Sequence, residues 1–310
     1  MVSEFQALSG TRAMLLVQQQ LAQAGIAEDE ISFEAYQLVK MALEGQDPRL
    51  SEQLSQQQAE KLQDLCAKRC KRFPLQYLAG SWSFLDFELK VGEGVLIPRE
   101  DTELLCLAAA DCARRMGAQA DDAFAAMLGG WPDAEAEISD SVQQPNILDL
   151  CAGSGCVGRD ILRLVPSASI TAVEKSEDAL RYLIQNVENT NVIPVKADVL
   201  GFEQTILPES VDVIASNPPY ITDEEMKQLA PELAYEPEMA LYAPDEGLVF
   251  YRYFAQNYKA ALRKGGWMAF EIGAAQGQAV KQMLQQAGAG FVQILQDGAG
   301  RDRVVRARFD

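Results

Sequence analysis

The residues best suited to chemistry are Asn217-Pro218-Pro219-Tyr220, which follow the apolar run Val211–Ala215. Two consecutive prolines fix φ and carry no N–H, so their carbonyls are left to point at something other than a ladder partner. Asn217 adds a carboxamide oxygen and Tyr220 a flat face. Two acceptors and a ring suit a planar NH₂: the acceptors take its two N–H bonds while the ring holds its π system. Such a nitrogen is oriented for attack on a methyl group. A sulfonium-bound methyl already has a good leaving group, so the transfer requires neither metal nor His. Alignment of the two is chiefly a proximity effect.

A second group lies upstream. Ile147-Leu148-Asp149-Leu150-Cys151-Ala152-Gly153-Ser154-Gly155 reads as a strand running into a small-residue turn and then a helix. Small residues let the backbone approach a ligand, and a helix N-terminus offers free N–H groups. Nineteen residues after Gly155, Glu174 ends the next strand-like segment, where an acid can accept hydrogen bonds from ribose hydroxyls. Together these point to a nucleoside-containing ligand. NAD and S-adenosylmethionine sites share this layout, and the departure from G-x-G-x-x-G weakens NAD. Asp198 follows the third strand, where it would accept from an adenine amino group or act as a loop cap.

Composition narrows the chemistry. The 310 residues include no His. That removes Ser-His-Asp triads, Cys-His dyads and His general bases together. The six Cys form no C-x-x-C pair, so no metal site is expected. Lys and Arg number 27 against 45 Asp and Glu, a net charge of −18 that repels phosphate backbones. The densest basic stretches, Lys68–Arg72 and Arg301–Arg308, are short, so direct nucleic-acid binding is not expected. No signal peptide and no stretch of ~18 apolar residues is present. A reduced, cytoplasmic protein with free thiols and no membrane association is expected.

The elements that must position these residues come in three parts. Residues 1–72 read as helices, with Leu15, Leu16, Ala22 and Ile26 on one apolar face and Phe33, Tyr36, Leu38, Val39 and Leu43 on another. A third helical unit, Ser51–Arg72, turns Leu54, Leu62, Leu65 and Cys66 inward. Residues 73–98 read as a hairpin connector, with Trp82, Phe84, Phe87, Leu89 and Val91 alternating. Residues 99–310 carry one more helix, Glu100–Arg115, and then strand–helix alternation. This implies a Rossmann-like α/β domain with a seven-stranded, mostly parallel sheet. Only Asp297–Arg303 separates the last two strands, which is too short for a helical crossover, so that pair is expected to be antiparallel. Residues 117–145 hold six acids and no Lys or Arg and read as an insertion, with a short helix at Phe124–Leu128.

Asn217–Tyr220 in this setting resembles amino-directed S-adenosylmethionine-dependent methyltransferases. The chain as a whole resembles the release-factor glutamine N5-methyltransferases, the PrmC/HemK family. The matching pieces are Pro74–Gly80, Val95–Glu103, Ile147–Gly155, Ala172–Glu174, Ser216–Ile221, Tyr235–Pro237 with Ala240-Leu241, Asp245–Leu248, Gly265–Gly277, Asp297 and Arg301–Val304. The resemblance implies a class I methyltransferase fold behind a helical substrate-docking domain. It implies S-adenosyl-L-methionine as cofactor, S-adenosyl-L-homocysteine as product, and class-1 peptide-chain release factors as partners of a monomeric enzyme. Asp149, Cys151, Ala152, Gly153, Ser154 and Gly155 would form the cofactor loop. Glu174 would hold the ribose, and Asp198 with Val199 would flank the adenine. Asn217 would touch cofactor and substrate. Asn217, Pro218, Pro219 and Tyr220 would hold the glutamine of the Gly-Gly-Gln loop, whose amide nitrogen accepts the methyl group.

Three positions depart from the family pattern. Cys151 stands where the family usually has Gly, Val199 where an aromatic is common, and Gly158-Arg159-Asp160 where apolar residues are usual. Cys151 and Cys156 read as apolar packing in preference to a redox switch, and Glu271 as polar support behind the site. The competing functions are N5-methylation of a glutamine in a large-subunit ribosomal protein, adenine-N6 methylation of nucleic acid, and a non-catalytic nucleoside-binding or assembly role. The long helical N-terminal region and the connector Pro74–Leu78 favour the release-factor branch. The net charge and the lack of a recognition domain weigh against nucleic acid.

Overall fold

The computed structural model describes residues 3–116 and 144–310. Residues 117–143 of the acidic insertion, with the helix expected at Phe124–Leu128, lie outside the described residues. Two compact units form. One is built from residues 3–81 and 230–235, the other from residues 82–116, 144–229 and 236–310. Among the described residues no helix is long and apolar enough to cross a membrane.

The first unit is helical: α1 (Gly10–Gln23), α2 (Glu28–Ala42), α3 (Gln56–Cys70) and the short α4 (Leu75–Ala79). Ser9 accepts the Arg12 N–H to start α1, and Ser55 with Gln58 closes a capping box on α3. The α1 face differs from the one expected. Ala13, Val17 and Leu21 turn inward, while Leu15 and Ala22 are exposed and Leu16 is only half-buried. On α2, Leu38 and Val39 are buried but Phe33 is exposed. Leu54, Leu62, Leu65 and Cys66 are buried as their spacing predicts. Residues 230–235 join this unit through charge. Buried Arg69 donates to both oxygens of Glu34, at 2.7 and 2.8 Å, and to Glu232 at 2.9 Å. Arg72 also pairs with Glu232, at 2.8 Å, and the Tyr235 hydroxyl donates to the Lys71 carbonyl.

A hairpin, β1 (Ser81–Phe84) and β2 (Phe87–Lys90), precedes α5 (Thr102–Met116). The alternation then runs β3 (Asn146–Leu150), α6 (Cys156–Leu164), β4 (Ser169–Glu174), α7 (Glu177–Asn186), β5 (Val192–Lys196) and β6 (Val211–Ser216). It ends with α8 (Asp223–Met226), α9 (Val249–Asn257), β7 (Leu262–Glu271), α10 (Gly277–Gln286), β8 (Ala289–Gln296) and β9 (Asp302–Phe309). The sheet order is β5-β4-β3-β6-β7-β9-β8. All pairs are parallel except those of β9, which inserts between β7 and β8 and is antiparallel to both. This is the seven-stranded class I methyltransferase sheet that the alternation and the resemblance predict. Alternate residues of each central strand feed two cores. Ile147, Val213 and Ala215 face α5, α6 and α7, while Leu148, Leu150 and Ile214 face α9 and α10.

The turn from β3 into α6 is held tightly. Cys151, Gly153 and Gly155 all have positive φ, at 61°, 55° and 83°. A Cβ on Gly155 would stand 2.6 Å from Leu183 Cδ1, so only glycine fits there. Cys151 takes the same backbone region with a Cβ, a strain of about 1–2 kcal/mol that explains why glycine is usual at this position. Asp149 is fully buried beneath the turn and accepts the Gly158 N–H at 2.9 Å. Gly158 is therefore the close approach of α6 to that carboxyl. Its polar neighbours are compensated: Asp160 pairs with Arg163 at 2.7 Å, and Arg159 lies 4.5 Å from the Phe87 ring centre.

Two stability outcomes follow. Arg69→Ala leaves the Glu34 carboxylate buried without its partner, and urea unfolding should report a loss of about 3–5 kcal/mol. A variant within about 1 kcal/mol of wild type would show that Glu34 finds water instead. Burial pushes the Asp149 carboxyl up to about 7. A folded pKa above the unfolded value means that this group's contribution is full below about pH 4 and is lost as pH rises through about 7. Asp149→Asn keeps the acceptor for Gly158 and removes that loss. Its melting temperature should exceed the wild type's at pH 8 by a few degrees, on the order of 1 kcal/mol in a domain of this size. The gap should close toward pH 4, and a gap that is constant with pH would contradict the assignment.

Candidate active site

β3 and β6 are parallel neighbours, with Leu150 in register with Ser216. The Ser216 hydroxyl donates to the Leu150 carbonyl at 2.6 Å, pinning the two strand ends together. Cys151 and Asn217 therefore leave the sheet side by side, roughly 5 Å apart. After β3 the chain turns toward β4, and after β6 it turns toward β7. Such a divergence opens a crevice beyond the carboxyl ends of the strands. A cavity of about 300 Å³ occupies it.

One wall is the expected nucleoside half. Cys151, Gly153, Glu174, Asp198 and Val199 all line the cavity. Nothing lies within 4 Å of where a Gly153 Cβ would stand, so its backbone is open to a ligand. Glu174 is buried, and its oxygens accept the Ser176 and Gly153 N–H groups at 2.6 and 2.8 Å. Desolvation raises its pKa against those two donors. Each oxygen keeps a lone pair for a further donor, as ribose hydroxyls require. Val199 is buried, and its carbonyl accepts the Tyr258 hydroxyl at 2.7 Å. Asp198 is half-exposed. Against partial desolvation, the Lys175 ammonium at 2.8 Å and the Leu200 N–H hold its carboxylate below the usual range. A glycine-open backbone, a buried ribose acceptor and an apolar ledge form a donor and acceptor set that fits S-adenosylmethionine. Among the described residues no group of three or more His, Cys, Asp or Glu could hold a metal ion.

The structure does not bring every residue of the expected loop into the cavity wall. Asp149 lies behind the turn, where it holds α6. Ala152 and Ser154 are buried. The Ala152 N–H donates to the Val173 carbonyl, and the Ser154 carbonyl accepts from Asn186. Gly155 packs on Leu183. These four shape the loop from behind. Burial raises the thiols of Cys151 and Cys156, the latter to about 12, so both are protonated and inert at neutral pH.

The other wall carries Asn217 and Pro219. The Asn217 amide donates to the Thr102 hydroxyl at 3.1 Å. Among the described residues no donor reaches Asn217 Oδ1 or the Pro218 carbonyl oxygen. Both acceptors are thus unspent, but only Asn217 of the two lines the crevice. Pro218 and Tyr220, expected to hold the substrate, do not line it and sit just behind Asn217 and Pro219 in chain order. The Tyr220 ring is mostly buried, and its hydroxyl donates to Glu271 Oε1 at 3.2 Å. Desolvation and the neighbouring Glu271 charge raise its pKa, so the phenol stays neutral. The loop beyond is anchored through backbone. Gln276 Nε2 donates to the Tyr220 and Glu246 carbonyls, each at 3.1 Å. A Cβ on Gly247, at φ 77°, would stand 2.1 Å from the Tyr220 oxygen.

Sequence reasoning missed the far wall and the back. Leu96, Pro237, Met239 and Phe250 complete the cavity. Glu236 places the first two of these segments, its carboxylate accepting the Ile97 N–H at 2.9 Å and pairing with Arg99. Thr102 lies inside a matching stretch and carries no role in the sequence reading. The signal that could have found Leu96, Thr102 and Pro237 is their place in Val95–Glu103 and Tyr235–Pro237, stretches that carry the resemblance; Met239 and Phe250 lie outside all of these stretches.

Comparison with known proteins covers both units. A methyltransferase small domain family model matches residues 136–268, and a PrmC N-terminal domain model matches residues 13–80. The release factor glutamine methyltransferase of Thermodesulfovibrio yellowstonii is 33% identical over 258 residues, 82% of this chain and 82% of the relative. That of Cereibacter sphaeroides is 34% identical over 293 residues, 93% of this chain and 94% of the relative. Among solved structures, the catalytic domain of hMettl16 has a TM-score of 0.52 at 15% identity, covering 80% of this chain and 81% of that one. At that identity the likeness concerns the fold alone. With about a third of its residues shared along most of the length of such relatives, this chain belongs to the release factor glutamine methyltransferase family.

Proposed function

We propose that this protein transfers a methyl group from S-adenosyl-L-methionine to the side-chain amide nitrogen of the glutamine in the Gly-Gly-Gln motif of class-1 peptide-chain release factors. The observation that carries the reading is the pair of unspent acceptors, Asn217 Oδ1 and the Pro218 carbonyl, on a strand end beside a nucleoside-type cavity. Family membership supplies the substrate class. The cofactor supplies an electrophilic methyl on a sulfonium, leaving S-adenosyl-L-homocysteine. An amide nitrogen is a poor nucleophile because its lone pair is conjugated with the carbonyl. Asn217 and Pro218, by accepting both its N–H bonds, fix the NH₂ plane and raise electron density on nitrogen. Nitrogen bonds the methyl carbon as the methyl–sulfur bond breaks, and the N-methylated amide then releases one proton to water. Tyr220 limits the rotation of the amide, and Glu174, Asp198 and Val199 hold the nucleoside. The reading includes a monomeric cytoplasmic enzyme that uses no metal. The six free cysteines suit a reducing compartment.

The test uses labelled S-adenosylmethionine with a class-1 release factor of the same organism, beside that factor with Gln→Ala in its Gly-Gly-Gln motif. Label in the first tube and none in the second is expected. No label in either, with cofactor binding intact, would move the substrate to a ribosomal protein or nucleic acid. Asn217→Ala should abolish transfer while calorimetry finds cofactor affinity within about tenfold, or about 1.4 kcal/mol, of wild type. Near-normal turnover in that variant would sink the mechanism.

A further inference from the structure

The far wall of the cavity is made of chain that the sheet does not hold. Gly94, Leu96, Pro237, Met239 and Ala240 line it, and none of them lies in a strand. One carboxylate joins the two segments. Glu236 is buried, its side chain 2% exposed. Its Oε2 accepts the Ile97 N–H at 2.9 Å across 139 residues, and its Oε1 pairs with the Arg99 guanidinium. Leu96 immediately precedes Ile97 and Pro237 immediately follows Glu236, so the bond stands one residue from the wall on each side. Both bonded residues precede a proline, Pro98 and Pro237. A following proline confines the backbone to extended conformations, which leaves little play between bond and wall.

The later segment is held separately at its other end. The Leu241 carbonyl accepts the Tyr220 and Ile221 N–H groups at 3.2 and 2.9 Å, and the Ala243 N–H donates to the Ile221 carbonyl at 3.0 Å. Residues 236–241 are therefore a strap with a backbone anchor beside Asn217–Tyr220 and a carboxylate anchor at Glu236. Met239, between the anchors, is 50% exposed and lines the cavity, so the strap stands at the mouth.

We propose that Glu236 is a positioning residue for the methyl donor: its carboxylate latches the strap to the stretch before α5, and the latch sets how tightly the cofactor is held. The proposal rests on the reading that the cavity takes S-adenosylmethionine. With the latch open, the wall is competent to bind for only a fraction of the time, and the apparent dissociation constant rises by the inverse of that fraction. Arg99 balances the carboxylate, so the latch brings no net charge to the cavity. It should serve the sulfonium of the methyl donor and the neutral thioether of the product equally.

The test is calorimetric titration of S-adenosylmethionine and of S-adenosyl-L-homocysteine into the full chain and its variants. Glu236→Ala removes both bonds and should raise both dissociation constants about 10–100-fold, by one common factor. Glu236→Gln keeps an oxygen for Ile97 and loses the charge for Arg99, and should raise them about 3–10-fold. Its shape is that of Glu, so it decides the matter where Glu236→Ala does not fold. At saturating cofactor, kcat should stay within about threefold of wild type, with the change confined to the cofactor KM. Exchange of the Ile97 amide, which needs no ligand, should be slow in wild type and Glu236→Gln and fast in Glu236→Ala. A wild type that binds neither compound would refute the cofactor reading itself. With wild-type binding intact, a folded variant that binds both compounds as tightly as wild type would overturn the latch. So would a larger loss for S-adenosylmethionine than for the product, which would assign Glu236 to the sulfonium charge. A fall in kcat at unchanged dissociation constants would also overturn it and assign Glu236 to packing.

Discussion

Two parallel strands that part company at their carboxyl ends set the terms for the whole catalytic unit. Leu150 and Ser216 are register partners joined by a side-chain hydrogen bond, and the next residue on each strand begins one half of the site. Cys151 and Asn217, the first residues of the two halves, are thereby brought within roughly one strand spacing before any loop is considered. What remains for the loops is to face the right way. After β3, positive φ angles at Cys151, Gly153 and Gly155 bend the chain around the cavity, which Cys151 and Gly153 line. After β6, two prolines withhold N–H groups and leave carbonyl oxygens unspent. Both turns are rigid, and both are supported from behind by buried polar groups, Asp149 for the first and Thr102 with Glu271 for the second.

Much of this was legible in the residues. Strand–helix alternation gave the sheet, and the short Asp297–Arg303 connection gave its antiparallel pair. The small-residue turn, Glu174 and Asn217–Tyr220 are local signals, because each motif lies within one strand end and its following turn. What escaped was non-local. Thr102 meets Asn217 across 115 residues and Glu271 meets Tyr220 across 51, so these contacts are a property of the packed sheet and of no sequence window. Leu96, Met239 and Phe250 escaped for the same reason. The inverted choice on α1 has another cause. Leucines at 15 and 16 and alanines at 13 and 22 offer two faces at nearly the same helical period. Burial of Val17 and Leu21 against the rest of the unit decides between them.

Segment 230–235 shows how charge can assign a piece of chain to a unit when hydrophobicity does not. Only Glu232 of its six residues is charged, none of Pro231–Tyr235 is buried, and nine residues separate Tyr220 from its start at Ala230. Glu232 nevertheless meets Arg69 and Arg72, and the Tyr235 ring stands 5.1 Å from that of Phe73. Arg69 is desolvated, which lowers its pKa on its own, yet the two carboxylates return it above the ordinary value. A guanidinium can satisfy two carboxylates at once because its donors point in fixed, separate directions. Lysine in that place would leave the buried Glu34 half-paired.

The antiparallel strand β9 acts as a ruler for the back of the site. It pairs Val304 with Glu271, and so sets where the end of β7 stands. Its arginines grip α5 at two heights. Arg303 meets Asp101 at 3.0 Å, one residue before Thr102, and Arg306 meets Asp111 at 2.7 Å. Thr102 and Asp111 are nine residues apart, about 13 Å along the helix. A helix held only by its apolar face, rich in alanine over Ala108–Ala110, could slide by a fraction of a turn at small cost. Asp111 and Arg306 are both fully buried, and such a pair contributes little net stability once desolvation is counted. Its directional bonds contribute position, with Arg306 locked further by Gln293 at 2.6 and 2.9 Å. Because the same strand fixes both Glu271 and α5, the distance between Glu271 and Thr102 does not depend on any loop. The hydroxyl that accepts the Asn217 amide is therefore placed by the sheet itself.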